Sequence, residues 1–185
     1  MEKIAYEKIF PDNKFLDFEI GFGRGVFAKN YAKFNPDRNL IAIEIRKPVV
    51  KYVKEELKDA GLKNLYLLHG KAEICLEDTL ADASLDRVFL FHPDPWLKLR
   101  HHKRRVLQHN FLDLIFRKLK AGGRLYLSTD VENLWQNMSK TIKIHGEFMK
   151  VEDQEFWQEQ YITYWHEYSK RSERPLFYAV FKKQS

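Results

Sequence analysis

Three glycines, Gly21, Gly23 and Gly25, alternate directly after the run Leu16 to Ile20. Such a run, breaking into closely spaced glycines, reads as a short buried strand that turns sharply into a helix. Glycine takes the left-handed backbone conformations of tight turns without steric strain. Val26 to Phe34 supplies the helix, and the pattern then repeats. Leu40 to Ile45 is a β-branched apolar run and reads as a second strand. Pro48 suits the first turn of a helix ending near Ala60-Gly61. Leu65 to Leu68 and Leu85 to Phe91 read as further strands around a short helix, Ala72 to Leu80. Phe111 to Leu119 reads as a helix, and Ala121-Gly122-Gly123 as a turn into a fifth strand, Arg124 to Ser128. Asp130 is placed to cap a helix in which Val131, Leu134, Trp135, Met138 and Ile142 share one face. Phe148 to Val151 and Leu176 to Phe181 read as two last strands. This alternation predicts an α/β fold with a doubly wound, mostly parallel sheet. Its ligands should lie beyond the carboxyl ends of the strands, where the strand order reverses.

The chain of 185 residues is long enough for a sizeable core and shows no repeat or linker, so residues 1–185 read as a single domain. No apolar run approaches the roughly 20 residues needed to span a bilayer, so no membrane association is expected. Met1 to Lys8 lacks the apolar core of a signal peptide, and Cys75, the one cysteine, has no internal partner for a disulfide. A cytoplasmic setting is the expectation, with Cys75 serving as a small apolar helix residue. The 32 Lys and Arg exceed the 26 Asp and Glu by only six. That excess is concentrated: between Pro95 and Leu112 there are five basic residues and no acid.

The glycine turn argues about its ligand. The dinucleotide fingerprint would require glycine at position 26, which is Val26. Glu19 stands two residues before Gly21, where a pyrophosphate would meet a repelling carboxylate. An acid there suits a ligand with a cationic end. S-adenosyl-L-methionine, with an ammonium, a sulfonium and no phosphate, fits this cofactor role. Gly21 and Gly23 let the backbone approach it closely. Glu44, at the end of the second strand, is placed to accept both hydroxyls of a ribose. At the end of the third strand stands Lys71, which cannot accept a hydrogen bond from an adenine amine.

The fourth strand runs into Phe91-His-Pro-Asp94-Pro-Trp96 and then Lys98, Arg100, Lys103, Arg104 and Arg105. Two prolines hold the backbone on either side of Asp94 and present its carboxylate rigidly at the strand end. Trp96 either packs beneath the loop or stacks on a base. The basic run next to such a site reads as a groove for an RNA backbone. His92, His101, His102 and His109 invite a metal reading, but no Cys or carboxylate set completes a site, and no metal is expected. The aromatic-rich segment Phe156 to Tyr168 is either a lid or stacking wall, or packing onto the sheet.

Glu19-Ile-Gly-Phe-Gly23, Ile43-Glu-Ile-Arg46, Pro93-Asp-Pro-Trp96, Arg100-His-His-Lys-Arg-Arg105 and Ser128-Thr-Asp130 occur in one order along the chain. In these stretches the sequence resembles the bacterial tRNA (guanine-N7-)-methyltransferase family. The resemblance implies a Rossmann-like class I methyltransferase fold, seven-stranded, with an antiparallel C-terminal strand. It implies methyl transfer from S-adenosylmethionine to N7 of a guanine in the tRNA variable loop. Carried over by position, it assigns Glu19, Glu44 and Lys71 to the cofactor, and Asp94 to catalysis beside it. Lys98 and Asp130 fall to the guanosine, and residues 100–105 to the RNA. A C-terminal Thr-x-x-Glu element is matched by Thr163-Tyr-Trp-His166, with Glu167 one place late.

N7 of guanine carries a free lone pair, so attack needs alignment rather than proton removal. A fixed Asp94 carboxylate would favour the positive charge that develops on the purine. Asp94 or Asp130 would alternatively accept from the guanine N1–H and N2–H2 edge, and the sequence leaves both roles open. Rival readings are a methyltransferase acting on another RNA or a small molecule, and an RNA-binding protein with a decayed cofactor pocket. The quaternary state is open between monomer and homodimer.

Overall fold

The computed structural model describes residues 6–12 and 15–184. Helix α1 (Tyr6–Ile9) precedes β1 (Phe15–Ile20), and the glycine turn leads into α2 (Val26–Phe34). Two more strand–helix units follow: β2 (Arg38–Glu44) with α3 (Lys47–Leu57), and β3 (Leu65–His69) with α4 (Ala72–Thr79). Strand β4 (Leu85–Phe91) then leads through a 3-10 turn, Leu99–Arg104, to α5 (His109–Lys118). The remainder is β5 (Leu119–Thr129), α6 (Glu132–His145), β6 (Phe148–Val151), a π-helical turn Phe156–Gln160, α7 (Tyr164–Arg171) and β7 (Phe177–Lys183).

Among the described residues the strands form one seven-stranded sheet in the order β3-β2-β1-β4-β5-β7-β6. Strands β1 to β5 run parallel, and β7 is antiparallel to both β5 and β6. The order reverses between β1 and β4, which makes their carboxyl ends the natural ligand crevice.

Because side chains alternate across a strand, each strand feeds two cores. Phe18, Ile20, Val88, Leu90, Leu125 and Leu127 join Leu76, Leu112, Ile115 and Met138 beneath α4, α5 and α6. Leu40, Ala42, Phe89, Phe91 and Tyr126 join Phe27, Tyr31 and Val53 on the other face. Phe156 and Tyr161 belong to that second core too, so the first half of the aromatic segment is packing onto the sheet. Gly25, at φ 71°, lets the start of α2 pack closely on α3: a Cβ there would lie 2.5 Å from Val53 Cγ1.

Two local expectations need correction. Ala121-Gly122-Gly123 is not a turn before the fifth strand but an irregularity inside it. Leu85 pairs with Leu119 and Arg87 with Arg124, so β5 accommodates extra residues opposite a short stretch of β4. Gly123 is needed there for closeness, since a Cβ would sit 2.9 Å from the Lys120 carbonyl oxygen. Nor does Asp130 cap α6. Val131 occupies the cap position with no side-chain bond, because the Asp130 carboxylate is engaged elsewhere.

Candidate active site

Glu19 and Glu44 lie on adjacent strands with side chains toward the α2 and α3 face, since Phe18 and Ile43 point into the opposite core. Glu19 is 3% exposed and its Oε2 has no hydrogen-bond donor among the described residues. Burial, and then the neighbouring charge of Glu44, push its carboxyl up to about 8. A buried carboxylate without a donor is a costly arrangement in isolation and becomes favourable when a cation reaches it. Beside it, Gly21 (φ 79°) and Gly23 (φ 52°) leave open space: a Cβ on either would meet nothing within 4 Å. Any side chain there would intrude on this cradle and strain the backbone.

Glu44 behaves differently. It accepts from the backbone N–H of Gly23 at 3.1 Å and of Arg46 at 2.9 Å, and from the Arg46 guanidinium at 3.0 and 3.2 Å. Burial works to raise its carboxyl, but the hydrogen bonds from Arg46 outweigh it and hold Glu44 below the usual carboxylate range. Glu44 is therefore the charged member of the pair and Glu19 the one held ready. The bond to Glu44, with a smaller contribution from the charge of Asp94, raises the Arg46 guanidinium above its ordinary value. Arg46 was legible only as part of a motif; a basic residue two places beyond a strand-end acid is the signal that identifies it as its partner.

Lys71 is exposed at the cap position of α4 and makes no side-chain cap bond. His69 on the same strand end contacts the Ile45 carbonyl oxygen at 3.2 Å.

The proline loop is bracketed by two non-glycine residues in the left-handed region, His92 at φ 45° and Trp96 at φ 43°. Such conformations persist only where the surroundings enforce them. Asp94 is exposed at the apex. Arg105 enforces the loop from below. It is 3% exposed and donates to the Pro95 carbonyl oxygen at 2.9 Å and to Asn133 Oδ1 at 2.6 Å. Its expected place among the RNA-facing charges is corrected accordingly: the guanidinium is committed inside the fold and shapes the loop. Lys98, Arg100, Lys103 and Arg104 are exposed around the 3-10 turn. Arg104 lies over the half-buried Trp96 ring at 5.0 Å.

Behind the loop runs a chain of buried polar groups. Burial holds the His92 ring below its ordinary value despite the nearby Asp130, so the imidazole is neutral near pH 7. Its Nε2 lies 2.8 Å from the Tyr161 hydroxyl and its Nδ1 3.4 Å from Asp130 Oδ1. The Tyr161 hydroxyl lies 2.6 Å from Ser128 Oγ. With Asp130 as acceptor, a neutral ring donates from Nδ1 and accepts from Tyr161, which accepts from Ser128. Asp130 Oδ2 also accepts from Ser169 at 2.9 Å and from Arg174 at 3.2 Å. This carboxylate thus joins the strand ends to α7. Thr163 is the α7 cap, accepting from the His166 N–H at 2.9 Å. His166 Nδ1 is buried and has no hydrogen-bond partner among the described residues, and Glu167 is exposed beside Lys170.

The structure therefore brings together Glu19, Gly21, Gly23 and Glu44, with Arg46 on Glu44, and places Asp94 on the loop after the neighbouring β4. It groups Asp130 with the Thr163–His166 turn through Tyr161 and Ser169. His92, Tyr161, Ser169 and Arg174 were not legible as parts of this site, because their partners lie up to 69 residues away. Among the described residues, no group of three or more His, Cys, Asp or Glu could hold a metal ion.

The strand order, the glycine turn after β1 and the acids at the ends of β1 and β2 define the Rossmann-like methyltransferase class. The solved 16S rRNA methyltransferase KamB superposes with a TM-score of 0.68 at 14% identity, covering 97% of this chain and 93% of that one. The aminoglycoside resistance methyltransferase NpmB1 does so with a TM-score of 0.63 at 23% identity, covering 96% and 91%. Residues 13–177 match the family described as "Putative methyltransferase", and the chain belongs to that family. Similar curated proteins are named tRNA (guanine-N(7)-)-methyltransferase. That of Shewanella frigidimarina is 47% identical over 74% of this chain and 58% of its own length. That of Nitrosococcus oceani is 43% identical over 68% of this chain and 51% of its own length. The chain thus spans only half to three-fifths of the curated relatives it matches.

Proposed function

We propose that this protein transfers the methyl group of S-adenosylmethionine to N7 of a guanine in tRNA. The observation that carries the reading is Glu19: a buried carboxylate, short of a donor, beside an open glycine cradle. These features fit an amino-acid ammonium approaching the backbone closely. Glu44 has a lowered, ionised carboxylate suited to ribose hydroxyls, and Lys71 lies at the next strand end. The cofactor supplies an electrophilic methyl on a sulfonium. The residues of the chain bind and orient. Asp94, fixed by two prolines and by Arg105, either balances the charge developing on the purine or accepts from the guanine edge. Lys98 and Asp130 fall on the guanosine side, with Thr163, His166 and Glu167 near Asp130. Arg100, Lys103 and Arg104 meet the backbone phosphates.

The family membership and the names of the relatives support tRNA over a small molecule, and four exposed cations around the 3-10 turn supply the matching electrostatics. Among the described residues no helix is long and apolar enough to cross a membrane, and a tRNA substrate implies a cytoplasmic setting. The test is incubation with methyl-labelled S-adenosylmethionine and either unmodified tRNA or naked ribosomal RNA. Label in tRNA alone is expected; label in ribosomal RNA alone, or in neither, would contradict the reading.

A further inference from the structure

Helix α7 presents two unlike faces. Ser169 is 1% exposed and bonds Asp130, while Thr163 caps the helix from a buried position. The other face carries Tyr164, Trp165 and Tyr168, which are 37%, 49% and 42% exposed. Trp165 and Tyr168, three apart, are neighbours on the helix, and Tyr164 adjoins Trp165. Tyr164 and Trp165 lie 5.6 Å apart and Trp165 and Tyr168 5.4 Å apart, both edge-to-face, so each contact occupies one face of one ring and leaves the opposite face free of its neighbour. An arginine backs each end of the row. Arg24, from the glycine turn, lies 4.2 Å from the Tyr164 ring centroid, and Arg174 lies 5.5 Å from that of Tyr168. Arg174 also bonds Asp130.

Three large aromatics left in water are an unfavourable surface unless something covers them. The occupant can be read from the charges around them: Arg24, Lys170, Arg171 and Arg174 against Glu167 and Glu173. Exposed rings set among cations match an unpaired nucleobase with its phosphate, which stacks on a π face while the cations meet the backbone. We propose that Tyr164, Trp165 and Tyr168 form a stacking platform for an unpaired base of the RNA substrate next to the methylated guanosine. The proposal rests on the reading of the substrate as RNA. Arg24 ties the platform to the cofactor turn, and Arg174 and Ser169 tie it to Asp130. A base seated there would be held beside both halves of the site. This also accounts for the division of the aromatic segment, whose first half is buried packing.

The test compares wild type with Trp165→Leu and Trp165→Phe on unmodified tRNA, alongside S-adenosylhomocysteine affinity as a check on folding. Trp165→Leu should raise the KM for tRNA about fivefold to a hundredfold, the range of one lost stacked base, with cofactor affinity unchanged. Trp165→Phe should restore most of it. Should Trp165→Leu fail to fold, Tyr168→Leu on the next turn gives the same reading. If the wild type methylates tRNA and the leucine variants keep its KM, the platform is wrong and the methyltransferase reading stands. If the wild type does not methylate tRNA, that reading fails. The platform is then judged by polyuridylate quenching of the tryptophan fluorescence lost in Trp165→Phe: quenching supports it, and its absence overturns it.

Discussion

Glu19 makes a testable demand on pH. Its ordinary value is 4.5 and burial raises it to about 8, so between these limits the empty folded protein holds a proton that the unfolded chain has released. Stability from this group is complete below the unfolded value and falls as pH rises through the window, by up to about 1.4 kcal/mol per pH unit. Glu19→Gln should flatten that slope, measured as the change in Tm between pH 5 and pH 8. Binding runs the other way, because a cationic ligand needs the ionised carboxylate. Affinity for S-adenosylmethionine should tighten as pH rises toward 8, with proton uptake by buffer visible in calorimetry at pH 7. Glu19→Gln should weaken binding by about 1.5–3 kcal/mol and lose this dependence. An affinity independent of pH would contradict the assignment. At Asp94 the demand is kinetic. Asp94→Asn keeps the shape and removes the charge, so kcat should fall about tenfold to a thousandfold while the Kd values for cofactor and tRNA change little. An unchanged kcat would remove Asp94 from the chemistry.

Among the elements, the proline loop and its basic turn separate two roles that share one stretch of sequence. Arg105 is buried under the loop, whereas Lys103 and Arg104 are exposed beside it. Lys103→Gln with Arg104→Gln should flatten the salt dependence of tRNA binding by about 0.7–0.9 in log–log slope per lost phosphate contact, and leave stability alone. Arg105→Ala strands the Pro95 carbonyl and Asn133, so it should lower stability by about 1–3 kcal/mol and reduce kcat through the displaced loop. An Arg105→Ala protein with wild-type stability and only a flatter salt slope would reverse this division. Reading the residues as a run could not separate them, because a string of basic residues carries no record of which one turns inward. The same holds for Asp130, where a Thr-Asp before a helix looks like a cap until Ser169 and Arg174, distant in sequence, draw the carboxylate away.

Across the whole molecule, what was legible follows from local physics. Strand–helix alternation, the glycine turn and the acids at the ends of β1 and β2 are short-range patterns, enough to give the parallel strands and to put Glu19 and Glu44 on adjacent strand ends beside the glycine turn. The irregular start of β5 escaped because three residues that look like a turn are also what a tightly opposed strand requires. The substrate side escaped in larger part. His92, Tyr161, Ser169 and Arg174 acquire their roles only when α7 folds back over the strand ends. The central claim concerns which atom receives the methyl group, and one measurement reaches it most directly. Unmodified tRNA is methylated with labelled S-adenosylmethionine, digested to nucleosides and resolved by mass analysis. The account predicts label in 7-methylguanosine and in no methyladenosine or methylcytidine. Label in another nucleoside, or tRNA that remains unmethylated by a protein that binds the cofactor, would contradict it.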